Sequence, residues 1–138
     1  MILLDTNVIS ETTKHIPDAS VLRFLSEQEH KLHLSVLTLA ELHRGAALLQ
    51  PGRRRDVLFR WIAIDLPDRF AGRILSVGQE EAPIWGKLMV QSRRQGLNLQ
   101  TMDSLIAATA LAHEFTLATR NRKHFGGIGL TLIDPWSG

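Results

Sequence analysis

Short apolar runs alternate with longer stretches of helical periodicity along the whole chain, and no tight hairpin signal such as Asn-Gly joins any two of them. Ile2 to Leu4, His33 to Val36, Thr116 to Thr119 and Thr131 to Ile133 have the length and composition of strands. Between them, a helix fits Asp18 to Glu29, with Pro17 before it and Asp18 as its cap. Thr38 opens the next, which places Leu39, Leu42, Ala46 and Leu49 on one face and stops at Pro51-Gly52. Val57 to Ile64 and Ile84 to Val90 read as amphipathic helices punctuated by Pro67 and Pro83. Asp103 to Glu114, nearly all small and apolar, reads as a buried helix. Without hairpins, successive strands are joined by crossovers, which make them parallel neighbours. The fold class implied is α/β, a three-layer α/β/α domain with a mostly parallel central sheet.

At 138 residues the chain fits one domain, residues 1–138, and it shows no repeat, linker or low-complexity tract. Cysteine is absent, which excludes disulfides, thiolate zinc sites and cysteine nucleophiles and permits a reducing cytoplasm. The opening Met1-Ile-Leu-Leu-Asp5 has no basic stretch and meets an acid after three apolar residues. It is neither a signal peptide nor a membrane span, so a soluble, cytoplasmic protein is expected. A pI near 9.5 suggests a nucleic-acid binder, but the formal net charge is only +2. With no Tyr or Cys, little titrates between histidine and lysine, so a small positive excess persists to high pH.

Three carboxylates, Asp5, Glu41 and Asp103, stand where a strand gives way to a helix or where a helix begins, and Asn121 repeats that placing. In a parallel sheet, the carboxyl ends of the strands line the crevice where ligands bind. Each acid also has a local reading. Glu41 completes a capping box with Thr38, Asp103 is an acid in a first helical turn, and Asp5 closes an Asx turn, with Thr6-Asn7 as a polar turn. What separates the two readings is convergence, which a metal site demands and three caps do not. Asp5 bears most on this question, because an unpaired carboxylate ending a central apolar strand costs several kcal/mol. Mg²⁺ or Mn²⁺ suits such a site: it takes oxygen donors from few carboxylates and leaves positions for water and phosphate. Thr119 and Asn121 bring a hydroxyl and an amide to the same edge, where both could orient metal-bound water. No His-x-x-x-His pair occurs, so zinc is not expected. Arg120, Arg122 and Lys123 flank Asn121 and offer a backbone-phosphate track, with His124 as a further phosphate contact. Trp61 and Trp85 fall within apolar helical patterns and read as packing residues.

The segments Leu4-Asp5-Thr6-Asn7-Val8-Ile9-Ser10, Thr38-x-x-Glu41-Leu42-x-x-Gly45, Asp103-x-x-Ile106-Ala107 and Thr119-Arg120-Asn121-x-x-His124-Phe125 are each short. In this order and spacing they resemble the PIN-domain endoribonucleases, in particular the VapC-type toxins of the FitB-like branch. The resemblance implies a Mg²⁺- or Mn²⁺-dependent RNase, usually a homodimer, held inactive by a cognate antitoxin with a DNA-binding part. It makes Asp5, Glu41 and Asp103 the metal ligands, with Thr6 and Asn121 as supporting groups. His124 stands where many relatives carry an acid, so a second ion is expected to bind weakly. Two other readings use the same residues: a PIN-like module that binds RNA or assembles complexes without efficient chemistry, and a structure-specific DNA nuclease.

Overall fold

The structure is a computed structural model and describes residues 1–137. Five strands, β1 (Ile2–Leu4), β2 (Leu32–Ser35), β3 (Ile74–Leu75), β4 (Thr116–Ala118) and β5 (Leu132–Ile133), form one sheet in the order β3-β2-β1-β4-β5. Every neighbouring pair is parallel. The chain therefore builds outward from β1 through β2 to β3, then returns to the other side of β1 for β4 and β5. The order reverses between β1 and β4, and in open α/β sheets the crevice above such a reversal is where ligands bind.

Because successive strand residues face opposite sides, each short strand feeds two cores. Ile2, Leu4, Leu32, Leu34 and Ala118 join Val8, Val21, Leu25, Leu66 and Phe70 on one face of the sheet. On the other face, Leu3 and Leu117 pack with Leu88, Leu99, Ile106, Ala107, Ala110 and Phe125. The first face is covered by α1 (Thr6–Ser10), α2 (Ala19–Glu27), α3 (Val36–Ala47) and α5 (Leu66–Arg69). The second lies under α6 (Glu81–Arg94) and α7 (Thr101–His113). The three-layer α/β/α arrangement expected from the alternation is thus present, and the sheet is parallel throughout. As its composition implies, α7 is largely buried, with Ile106 to Ala110 shielded from water. Trp61 and Trp85 pack against the two cores.

Several local expectations are corrected. Thr6-Asn7 is the first turn of α1, with the Asp5 side chain as its N-cap. The third helix begins at Val36, because Ser35 is the cap and its hydroxyl accepts the Leu37 N–H at 3.1 Å. Thr38 is consequently inside the helix, and Glu41 is free of the capping box. Pro67 does not end its helix. The run α4 (Arg53–Arg60) continues through a wide π turn (Trp61–Asp65) into α5, placing Pro67 at the start of that last segment, where a missing N–H costs least. Pro83 likewise sits in the first turn of α6. The structure also contains the two-residue β3 and the one-turn α8 (Arg122–Phe125), which apolar periodicity alone does not show. Among the described residues, no helix is long and apolar enough to cross a membrane.

Candidate active site

β1 and β4 are in register, Leu4 beside Ala118, and the Asp5 N–H extends the ladder by donating to the Ala118 carbonyl at 2.9 Å. The next residues of the two strands, Asp5 and Thr119, therefore emerge side by side at the point where the strand order reverses. The Thr119 hydroxyl donates to Asp5 Oδ2 at 2.8 Å, and the Thr6 N–H donates to Oδ1 at 2.8 Å. Thr119 Oγ1 in turn accepts the Asn121 N–H at 3.0 Å, which ties the turn leading into α8 to the same carboxylate.

A second arm comes from α3. The Thr6 hydroxyl donates to Glu41 Oε1 at 2.7 Å and lies 3.0 Å from the Thr38 hydroxyl. Thr6 thus holds both acids, Asp5 through its backbone and Glu41 through its side chain. The third acid, Asp103, lies half-buried in the first turn of α7, which begins at the same edge of the sheet. Trp85 steadies that turn: its indole N–H donates to Ser104 Oγ at 2.8 Å, while the Ser104 hydroxyl donates to the Thr101 carbonyl at 2.7 Å.

Electrostatics set Asp5 apart. Among the described residues three acids are buried, of which one, Glu11, has a cationic partner and a second, Glu81, has a histidine ring nearby. Glu11 pairs with Lys14 at 2.7 Å and accepts the Asp18 N–H at 2.8 Å; the bond from Lys14 holds its carboxyl below the usual range. Glu81 lies 3.7 Å from the His113 ring and accepts the Gly78 N–H. Asp5, only 4 % exposed, has no cationic partner among the described residues. Burial pushes its pKa up to about 6, against the two hydrogen bonds that favour the ion, and the charges of Asp103 and Glu41 push the same way. Burial also raises Asp103, opposed by His124. The charges of Glu41 and Asp103 thus both reach Asp5, and among the described residues no cation pairs with it.

The donor set is oxygen throughout, as a hard divalent cation prefers. Among the described residues, no three acid or histidine side chains stand close enough to form a ready cage. Asn7, beside Thr6 on α1, leaves its side-chain carbonyl oxygen buried and without a partner. Asp5, Thr6 and Glu41 meet through hydrogen bonds, and Asp103 joins them through its charge. Asn121 takes part by its backbone, with its side chain exposed at the rim. Arg122, Lys123 and His124 are exposed on α8, whereas the Arg120 guanidinium lies 5.0 Å over the Trp136 ring. Sequence reasoning missed Thr38, which it took for a helix cap. It also assigned the Thr119 hydroxyl to water, although that hydroxyl is bound to Asp5. The strand register would have revealed the Thr119 contact, since Thr119 ends its strand as Asp5 does.

Comparison with known proteins identifies the family. The family model described as the PIN domain matches residues 2–127. The plasmid stability protein StbB of Pseudomonas syringae pv. tomato is 44 % identical over 137 residues, covering 99 % of this chain and 99 % of that protein. The VapC ribonuclease Y4jK of Sinorhizobium fredii is 39 % identical over 99 % of this chain and 98 % of its own. Among solved structures, FitAcB from Neisseria gonorrhoeae superposes with a TM-score of 0.92 at 36 % identity, covering 99 % of both chains. The chain belongs to the PIN-domain family, as a VapC-type member of its FitB-like branch.

Proposed function

We propose that this chain is a metal-dependent endoribonuclease that hydrolyses RNA phosphodiester bonds with Mg²⁺, for which Mn²⁺ substitutes. The observation that carries the reading is the buried Asp5 carboxylate at the reversal point of the sheet, which has no cationic partner among the described residues and whose pKa Glu41 and Asp103 raise further. These three acids would hold the ion. An ion held by these acids would supply hydroxide from a coordinated water at neutral pH and would offset charge on the phosphoryl oxygens.

The remaining residues position and orient. Thr119 and the Thr6 N–H fix the Asp5 carboxylate in one plane, and the Thr6 hydroxyl fixes Glu41. Asn121 faces solvent beside them, within the rim where substrate would lie. Arg122, Lys123 and His124 offer charge and hydrogen bonds to the RNA backbone, while Arg120, stacked on Trp136, braces the segment that carries them. No side chain serves as a covalent nucleophile. VapC-type membership supports a role as the toxin of a type II toxin–antitoxin pair, working in the cytoplasm as a homodimer and restrained by a cognate, DNA-binding antitoxin.

The test is cleavage of matched RNA and DNA oligonucleotides by the wild type, Asp5→Asn and Glu41→Gln, with Mg²⁺ or with EDTA. Cutting of RNA alone, dependent on Mg²⁺ and lost in both variants, is expected. Preferential cutting of DNA would make the chain a DNA nuclease, and RNA bound but never cut would make it a binding module. Cleavage by Asp5→Asn at the wild-type rate would refute the assignment.

A further inference from the structure

Thr38 forms one end of a hydrogen-bond chain whose direction is fixed by proton counting. A threonine hydroxyl has one proton and accepts at two lone pairs. The Thr6 proton goes to Glu41 Oε1 at 2.7 Å, because an ionised carboxylate only accepts. The 3.0 Å contact between Thr6 and Thr38 must then run from the Thr38 hydroxyl to Thr6 Oγ1. Thr38 and Glu41 are three residues apart on α3, so both side chains project from one face of the helix and bracket Thr6.

Nothing else explains the Thr38 hydroxyl. It is fully buried and does not cap α3, because Ser35 does. A threonine inside a helix usually returns its proton to the carbonyl four residues back, as Thr109 does to Leu105 at 2.8 Å. The hydroxyl of Thr38 is spent on Thr6 instead. Donation into Thr6 Oγ1 polarises the Thr6 O–H and strengthens its bond to Glu41.

We propose that Thr38 is a positioning residue for the metal site: acting through Thr6, it orders Glu41 so that Oε2 stays free for the divalent ion. This rests on the metal-dependent reading above and extends it to a buried residue that touches neither ion nor RNA. Residues that orient a metal ligand change affinity about 10- to 100-fold when lost.

The experiment is a titration of the metal-stripped protein with Mn²⁺, reading free ion by electron paramagnetic resonance, beside melting curves in EDTA. Thr38→Val keeps the shape and removes the hydroxyl, and is expected to weaken Mn²⁺ binding about 10-fold. Thr38→Ser keeps the hydroxyl and should bind within about 2-fold of the wild type, since the relay needs only the O–H. If the valine variant fails to fold, Thr38→Ala, which needs no extra room, carries the same expectation. Wild-type affinity in the hydroxyl-free variants, or equal weakening by serine and valine, would overturn the role of Thr38 and leave the nuclease reading intact. A wild type that binds no Mn²⁺ would remove both.

Discussion

Replacing Asp5 with Asn should abolish activity and, in the metal-free protein, make the fold more stable. A carboxyl whose pKa rises from 3.8 to about 6 on folding holds its proton more tightly in the native state. Below pH 3.8 both states are protonated and the shift costs nothing. As the pH climbs toward 6 the unfolded chain ionises first, and stability falls throughout that window. At about 1.36 kcal/mol per tenfold change in proton affinity, the loss above pH 6 is about 3 kcal/mol. Asparagine removes the charge but accepts more weakly from Thr119 and the Thr6 N–H, so about 2 kcal/mol should be recovered. In a chain of this length that corresponds to a melting temperature about 7 °C higher. The assay is a series of melts in EDTA from pH 4 to pH 8. The variant should lie slightly below the wild type at the acid end, cross it as the pH rises toward 6, and stay higher by a constant margin above pH 6. Saturating Mg²⁺ should close the gap by stabilising the wild type alone, by about 2.7 kcal/mol at a concentration 100 times the dissociation constant. A variant that melts below the wild type at pH 8 in EDTA, or a difference that ignores pH, would refute the claim that an uncompensated buried charge sits at this point.

Thr119→Val removes a bond that holds the Asp5 pKa down, so the acid limb of the pH–rate profile should move to higher pH with RNA cleavage reduced about 10- to 100-fold, and Thr119→Ser should restore both. An unmoved acid limb would show that Thr119 does not tune Asp5. Ser35→Ala removes the cap of α3 and should cost about 1 kcal/mol, about 3 °C in melting temperature, without changing RNA cleavage per folded molecule. An unchanged melt would return the cap to Thr38 and Glu41 to its capping box.

The local readings of the acids were partly right. Asp5 does cap α1, and Asp103 does lie in the first turn of α7, yet the charge of Asp103 also reaches Asp5. A carboxylate on a first helical turn satisfies orphan N–H groups whether or not it also faces a ligand, so local pattern could not choose between the roles. Glu41 shows the reverse. Its spacing from Thr38 matched a capping box, but the cap lies three residues earlier, at Ser35, which frees the glutamate for Thr6. Helix starts are fixed by backbone dihedrals and the first available cap, and neighbouring serines and threonines look alike in sequence.

Covalent order and side-chain chemistry alone determined the α/β class, the parallel crossovers, the apolar runs of β1 and β4, and the oxygen-only character of the acids. The period of apolar residues and the absence of cysteine are properties of the chain before it folds. The tertiary structure decided which polar atoms meet. Asp5 and Thr119 are 114 residues apart and touch because β1 and β4 pair in one register. The Thr38–Thr6–Glu41 relay exists because α1 packs beside α3. Burial, which moves the Asp5 pKa, likewise arises only when both faces of the sheet are covered. Each is a contact between distant segments, and its energy depends on distances of a few ångströms that no local pattern of residues encodes.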